Sequence, residues 1–180
     1  MKNILKSFLS IVLILLLTGC KSDARMAVEE YLNKYQSLNS EVKTDMSAII
    51  DKENLNEENR KLYNDIFNKQ YQDLKYVVES EEYDGDEATV KVKITVYDYY
   101  QSQKESTKYL ANNADEFNDA NGVYDAQKYL NYKLNNMKKV TEKIDYTIDF
   151  YVLKTAKGWV VSNPSNSDLE KIHGIYNYES

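Results

Sequence analysis

The sequence predicts an α+β domain in which N-terminal helices pack on an antiparallel sheet of about four strands, with a helical insertion between two hairpins. Apolar residues recur at helical spacing in 24–71, and they alternate with polar residues in 74–99 and 144–161. Each glycine after residue 20 stands at a predicted element boundary; these are Gly85, Gly122, Gly158 and Gly174. The 161 residues that follow residue 19 are enough for a single domain, assigned to 25–180.

Three helices are predicted before the first strand. The first covers about 24–38 and the third about 56–71, both with an apolar stripe at helical spacing. A short second helix lies between them, and either Asn39 or Ser40 is expected to cap it, because a polar side chain there accepts from the first free N–H groups.

Two hairpins supply the predicted strands. The first joins 74–78 to 87–99 through an Asp84-Gly85 turn, and the second joins 144–153 to 159–161. One face of the strand 87–99 is wholly apolar and is expected to face the core; its residues are Ala88, Val90, Val92, Ile94 and Val96.

The segment 101–142 is predicted to be a polar helical insertion that Asn121-Gly122 divides into two parts. After the second hairpin, a last short helix is expected to open at 167–170. Gly174 is a plausible residue to end that helix, since glycine adopts the left-handed conformation without a steric penalty.

The first twenty residues, MKNILKSFLSIVLILLLTGC, are typical of a secretory signal peptide. A positive start precedes the apolar run 8–17, which is too short to cross a bilayer, since crossing takes about 20 apolar residues. The run ends in Leu17, Thr18, Gly19 and Cys20, which resemble the lipobox of bacterial lipoproteins. The resemblance implies cleavage of 1–19 and a diacylglycerol thioether on Cys20.

Lipidation of Cys20 predicts the location of the protein. Two acyl chains give stable anchoring where one gives only marginal binding, and 20–24 form a short tether. We therefore expect the domain on the extracytoplasmic face of the cell membrane. Cleavage removes two lysines from a chain of net charge −6, so the mature chain carries −8. Nucleic acid would be repelled by this charge and is not an expected partner.

Helices followed by two antiparallel hairpins, the last reading TIDFYVLKTAKGWVVSNPS, resemble the nuclear transport factor 2-like and cystatin-like folds. The resemblance covers about 25–175 and implies a curved sheet around a long helix, as in many small bacterial lipoproteins. The helical stretch 101–142 departs from these folds and leaves the strand order open. These folds host enzymes, ligand carriers and interaction modules alike, so the resemblance does not identify a function.

Few residues point to catalysis. Cys20 is the only cysteine and His173 the only histidine, so a nucleophilic triad or a histidine-based metal site has no second member. His173 is expected to be a helix-end or surface residue, favoured there by the helix dipole. We assign no catalytic residue and expect no cofactor.

Acidic residues around Gly85 and Gly122 suggest calcium, but the spacing argues against it. With Gly122 at the sixth position of a calcium loop, Phe117 and Lys128 occupy the first and twelfth positions, where oxygen ligands are required. A solvated charged surface is the preferred interpretation, and no metal site is predicted.

Tyrosine is over-represented, with 17 of 180 residues. Tyr97, Tyr99 and Tyr151 fall on the polar phase of their predicted strands, so they are candidate surface recognition residues for a glycan or a peptide. Alternatively, they pack on lysine stems or beneath the insertion 101–142.

Asp98 continues the apolar phase of its strand and would point into the core if the strand is regular to Tyr99. Because a buried carboxylate needs hydrogen-bond donors, we expect a tyrosine hydroxyl beside it. Tyr146 lies on the core phase of the third strand, so Asp98 and Tyr146 form a candidate pocket edge. Alternatively, the strand ends near Tyr97 and Asp98 is a solvated turn residue.

The polar phases of two strands carry opposite charges. Lys91 and Lys93 on the second strand, and Asp145 and Asp149 on the third, are expected to pair if the strands are antiparallel neighbours.

From these residues we expect a membrane-anchored binding or adaptor module for an envelope protein or ligand. The alternatives are a small hydrolase or isomerase that uses a carboxylate on the concave sheet face, and a structural partner of a membrane complex. A polar-lined pocket would favour ligand binding or catalysis, and an exposed apolar patch would favour a protein partner.

Overall fold

The computed structural model describes residues 23–179, so that the predicted signal peptide and Cys20 lie outside the described residues. The described part has six α-helices, four strands and one 3-10 helix: α1 (Asp23–Gln36), α2 (Ser40–Lys52), α3 (Glu57–Gln72), β1 (Lys75–Asp84), β2 (Glu87–Tyr97), α4 (Tyr99–Asn112), a 3-10 helix (Ala114–Phe117), α5 (Ala126–Lys138), β3 (Lys143–Thr155), β4 (Gly158–Val161) and α6 (Asn166–His173). The predicted α+β class, with helices before the sheet, is confirmed.

The four strands form one antiparallel sheet in the order β1-β2-β3-β4. β2 and β3 are therefore direct neighbours although a helical insertion separates them in sequence. Tyr97, the last residue of β2, lies opposite Lys143, the first residue of β3. The insertion thus leaves and re-enters the sheet at the same end, which places both of its helices there.

The inner face of the sheet is a packed core. Side chains of alternate residues on β2 and β3 are at most 2% exposed; they are Val90, Val92, Ile94, Ile148, Phe150 and Val152. These residues lie on the apolar phase that the sequence predicts. Val28 and Leu32 of α1, both fully buried, belong to the same core cluster. Because side chains fill this face, it is not a concave binding surface.

The outer face of the sheet carries one of the two predicted Lys–Asp ion pairs. The Nζ of Lys93 lies 3.5 Å from a carboxylate oxygen of Asp145, and Lys91 lies opposite Asp149 in the register. Thr95 also donates a hydrogen bond to Asp145 at 2.6 Å. This bond, followed by the charge of Lys93, lowers the pKa of Asp145. Such an exposed ion pair contributes only about 0.2–1 kcal/mol.

The second strand ends earlier than predicted. β2 stops at Tyr97, and Asp98 is the N-cap of α4. The carboxylate of Asp98 accepts a hydrogen bond from the backbone N–H of Gln101 at 3.2 Å. A free N–H in the first helical turn stabilises the carboxylate better than an apolar core does. The expected regular strand to Tyr99 is therefore wrong, and the alternative that the strand ends near Tyr97 is correct, with Asp98 as a half-buried helix cap in place of a solvated turn residue.

No helix within residues 23–179 is both long enough and apolar enough to cross a membrane.

Candidate functional site

A surface cleft of about 680 Å³ lies between α4 and α5, the two helices of the insertion. α4 supplies one wall through Ser102, Glu105 and Tyr109, and α5 supplies the other through Tyr132 and Asn136. We name this feature the insertion cleft.

Buried amide side chains fix α5 beside α3 and so place one wall of the insertion cleft. The side-chain N–H groups of Asn59, which is fully buried, donate to the backbone and side-chain oxygens of Gln127 at 3.0 and 2.9 Å. Asn131 in turn donates to Asn59 at 3.1 Å. Asp125 caps α5 by accepting from the backbone N–H groups of Gln127 and Lys128.

Two serines form the base of the insertion cleft. Ser102 and Ser106 are 9% and 1% exposed, and the hydroxyl of Ser106 donates to the carbonyl of Ser102 at 2.8 Å. Asn136 of α5 donates to the hydroxyl of Ser106 at 3.4 Å. Small side chains here allow the two helices to approach each other while leaving space above them.

Aromatic rings close one end of the insertion cleft. Tyr109 and Tyr132 are stacked with ring centroids 4.9 Å apart, and the buried Phe117 packs edge-on against both of them. The hydroxyl of Tyr109 donates to Glu116 at 2.9 Å, and this bond is the main cause that raises the pKa of Tyr109. This end offers both ring surface and hydroxyl groups to a ligand.

The opposite end of the insertion cleft is charged. Asp98 and Glu142 line it together with Lys139, and the backbone N–H of Asp98 donates to the carbonyl of Glu142 at 3.1 Å. Backbone N–H groups, its own and that of Thr141, lower the pKa of Glu142, so this side chain is a carboxylate at neutral pH. Together with Glu105, the lining of the insertion cleft therefore contains three acidic side chains and one lysine.

Asp98 and Tyr146, the predicted pocket edge, do not form the expected hydrogen bond. Asp98 is half-buried, and its second carboxylate oxygen accepts from the hydroxyl of Tyr178 at 2.9 Å. Tyr146 lies on the core phase as predicted and is 8% exposed. Tyr178 lies 80 residues from Asp98 in the chain, and no sequence pattern connects them.

Among the buried side-chain nitrogen and oxygen atoms of residues 23–179, the hydroxyl of Tyr146 is the one without a hydrogen-bond partner. Burial raises the pKa of this hydroxyl, and the charge of Asp98 adds to the effect. Tyr146 does not line the insertion cleft, so of the predicted pair only Asp98 belongs to this site.

The expected exposure of Tyr97 and Tyr99 is wrong. Tyr97 is 8% exposed, because Lys69 and Lys143 cover its ring at 4.2 and 4.5 Å and Asp73 accepts from its hydroxyl at 2.6 Å. Tyr99 is 1% exposed, since it begins α4 and packs against Phe67 of α3, where its hydroxyl donates to the backbone carbonyl of Ile66 at 3.3 Å. The alternative that these tyrosines pack on lysine stems and under the insertion is the correct one.

Tyr151 is 65% exposed on the outer face of the sheet. A recognition role for this residue remains a prediction.

The helix-end and surface interpretation of His173 is half right. His173 is the last residue of α6, but its ring is largely buried against Phe67 and Tyr71. The Nδ1 atom lies 2.9 Å from the hydroxyl of Tyr71. Burial lowers the pKa of His173 to about 4, so the ring is neutral at physiological pH.

The acidic residues around Gly122 have structural roles. Asp119 accepts from the backbone N–H groups of Asn121 and Val123 at 2.8 and 2.9 Å, and these bonds lower its pKa. Val123 therefore belongs to the loop, and α5 begins at Ala126. Across residues 23–179, no group of three or more histidine, cysteine, aspartate or glutamate side chains is placed to hold a metal ion.

The cleft residues Ser106, Tyr109, Tyr132 and Lys139 were not predicted as site residues. Ser102 and Ser106, one turn apart within a helical segment, were the available sequence signal for a close helix approach. Comparisons of the chain with protein-family models, with curated proteins and with solved structures find no match.

Proposed function

We propose that this protein is a membrane-anchored extracytoplasmic lipoprotein whose domain is a binding module, with the insertion cleft as its binding surface. The observation that carries the proposal is the contrast between two surfaces. The inner sheet face is filled by apolar side chains, whereas the insertion cleft offers about 680 Å³ between polar and aromatic walls. Clefts of 300–1,000 Å³ are the usual size of small-ligand sites.

The lining of the insertion cleft favours a polar ligand. Asp98, Glu105 and Glu142 are hydrogen-bond acceptors, and Tyr109 and Tyr132 add ring surface. With Lys139 as the lysine in the lining, the negative charge favours a ligand that carries donors or positive charge over an anionic one.

The alternative, a small hydrolase or isomerase, relied on a carboxylate on the concave sheet face. Because apolar side chains fill that face, it has no room for a substrate, and the binding module is the preferred function. The relation to nuclear transport factor 2-like and cystatin-like domains is part of the proposal, and the order of helices before an antiparallel sheet supports it.

Cys20→Ala is expected to abolish membrane anchoring, because alanine has no thiol to carry the diacylglycerol. The protein should then appear in the medium or as an unprocessed precursor. Cell fractionation with metabolic labelling by an alkyne fatty acid measures this. Thr18→Ala keeps a small residue in the lipobox and is the matched control, which should stay anchored. A Cys20→Ala protein that is processed and membrane-bound would show that anchoring does not depend on this residue.

Site-specific photo-crosslinking in intact cells tests the insertion cleft. A benzoylphenylalanine at Tyr132 or Lys139 is expected to form defined adducts, identified by mass spectrometry. The same crosslinker at Tyr151, on the exposed outer sheet face, is the control. Adducts from Tyr151 alone would move the binding surface to the sheet and contradict the proposal for the cleft.

A further inference from the structure

The two hairpin turns lie together at the end of the sheet that is opposite the insertion cleft. The β1–β2 turn covers 84–87, and the β3–β4 turn covers 155–158. The backbone N–H of Lys154 donates to the carbonyl of Asp86 at 2.8 Å, which joins the two hairpins there. β3 has 13 residues, so about 40 Å separates this end from the cleft end of the sheet. We name it the hairpin end.

The helix α1 begins at the hairpin end. Asp23, in its first turn, lines a groove together with Lys157 and Trp159 of the second hairpin. At the other end of α1, Gln36 donates to the carbonyl of Leu74 at 2.7 Å, just before β1 starts at the cleft end of the sheet. α1 therefore runs along the sheet from the hairpin end towards the cleft end.

The position of Asp23 limits how far the hairpin end can lie from a membrane. Asp23 is the first described residue, and the proposed lipid anchor, Cys20, stands three positions before it. Three residues span about 10 Å even when they are fully extended. This step rests on the lipidation in the proposed function. An acylated Cys20 holds the hairpin end beside the bilayer and leaves the insertion cleft at the far end of the sheet.

The side chains exposed at the hairpin end suit the interface between membrane and water. Tyr83 is 48% exposed, and its ring packs edge-on against the half-buried Trp159 with centroids 5.5 Å apart. Met26 of α1 lines the same groove as Trp159 and is 53% exposed. The Nζ of Lys154 lies 5.9 Å from the ring centroid of Trp159. Tryptophan and tyrosine are enriched at the level of the lipid headgroups, where lysine can keep its charge in water above an apolar stem.

The charge of the hairpin end argues against electrostatic attraction to lipid. Asp23, Asp84 and Asp86 are exposed there beside two lysines, Lys154 and Lys157, so anionic lipid exerts no net attraction. Contacts of a few rings with headgroups are weak by themselves. Because the anchor keeps these rings at a high effective concentration at the surface, the contacts need only orient the domain.

We infer that the hairpin end is a membrane-contacting surface that rests on the lipid headgroups, with Tyr83 and Trp159 at the interface. The insertion cleft then faces away from the bilayer, about 40 Å along the sheet. A ligand or an envelope partner of the cleft reaches it from the aqueous side. This orientation goes beyond the proposed function, since lipidation alone leaves the domain free to turn.

Quenching of Trp159 fluorescence by nitroxide-labelled lipid tests the orientation. Trp159 is the only tryptophan in the chain, so its fluorescence reports a single position. The mature lipidated protein is reconstituted into phosphatidylcholine vesicles that carry the nitroxide either on the headgroup or at the end of the acyl chain. The headgroup label is expected to quench several-fold more strongly than the acyl-chain label, because the ring lies at the interface.

A tryptophan at the cleft end is the control. The double variant Trp159→Phe, Tyr100→Trp keeps an aromatic ring at 159 and moves the only tryptophan to the first turn of α4. Neither label is expected to quench this reporter. Equal headgroup quenching of the two reporters would show that the domain lies along the bilayer. Absence of quenching from both would show that the hairpin end does not reach the lipid, and either result overturns the inference.

Met26→Asp tests whether the surface of the hairpin end, beyond the short tether, orients the domain. A carboxylate at this exposed position opposes contact with the headgroup region, so headgroup quenching of Trp159 should fall several-fold. Ile49→Asp makes the same change at an exposed residue of α2 and should leave the quenching unchanged. Unchanged quenching in Met26→Asp would overturn the contribution of this surface.

Mass spectrometry of the same preparations separates failure of the anchor from failure of the orientation. A mature protein without acyl groups on Cys20 would contradict the lipid anchor of the proposed function. Because Cys20 is the only cysteine, its free thiol can then be coupled to a maleimide phospholipid in the vesicles. The quenching of Trp159 relative to the cleft-end reporter still decides whether the hairpin end contacts the membrane.

Discussion

Gly174→Ala is expected to lower the free energy of unfolding by on the order of 3 kcal/mol. Gly174 ends α6 with φ of 73°, a left-handed conformation that costs an L-residue about 1–2 kcal/mol. An added Cβ would also collide with the backbone oxygen of Tyr97 and the side-chain amide of Gln70. Urea denaturation of the purified protein measures the change.

The neighbours of Gly174 cannot easily move away. Gln70 is fully buried, and its side-chain oxygen accepts from the backbone N–H of Tyr97 at 2.9 Å. Its amide group lies 3.4 Å from the carbonyl of Ile172, and the carbonyl of Gly174 accepts from Tyr100 at 2.9 Å. One junction therefore joins α3, β2, α4 and α6, and any shift there affects all four elements.

Gly122→Ala is the matched control for this prediction. Gly122 has nearly the same φ, 79°, but an added Cβ would meet no atom within 4 Å. Gly122→Ala should therefore lower the free energy of unfolding only by the cost of the left-handed conformation, about 1–2 kcal/mol. Equal losses for the two variants would show that the close approach at Gly174 does not limit stability.

Acidification from pH 6.5 to pH 4 is expected to remove about 3 kcal/mol of stability through His173 alone. Burial lowers the pKa of His173 in the folded protein from 6.5 to about 4. Because the unfolded chain binds the proton more readily, the contribution is fully present above pH 6.5 and declines as the pH falls toward 4. Protonation also makes both ring nitrogens donors, so that Nδ1 can then only donate to the hydroxyl of Tyr71.

His173→Asn separates this effect from the titration of carboxylates. The asparagine amide lies roughly at the place of Nδ1 and can form a hydrogen bond with the hydroxyl of Tyr71, but it does not titrate. Between pH 6.5 and 4, the stability measured in urea should fall by about 3 kcal/mol more for the histidine protein than for the variant, so the difference between the two curves should change with pH. Parallel curves would show that His173 is not held neutral by the fold.

Much of the fold follows from local patterns in the sequence. Strand phases in β2 and β3 were predicted correctly, because burial of one sheet face imposes a period of two on the residues. Gly174 was predicted to end the last helix, since glycine tolerates the left-handed conformation. Asn39 was one of two predicted caps and does cap α2, because capping involves only residues within one helical turn.

The candidate site was predicted only in part. Asp98 was selected from the phase of its strand, but the reason was wrong, since it caps α4 and binds Tyr178. The burial of Tyr97 depends on Lys69, from a different element, and that of His173 depends on Phe67 and Tyr71. No single-strand or single-helix period contains this information.

The sequence by itself determined the α+β class, the element boundaries that glycine and capping residues mark, and the apolar faces of the strands. The tertiary structure decided the strand order around the insertion, the cleft between α4 and α5, and which polar groups are buried. Local patterns report the conformation and the average environment of a segment. The neighbours of Asp98, Tyr146 and His173 come from segments up to 102 residues away in the chain, and only the packing of those segments decides which groups meet.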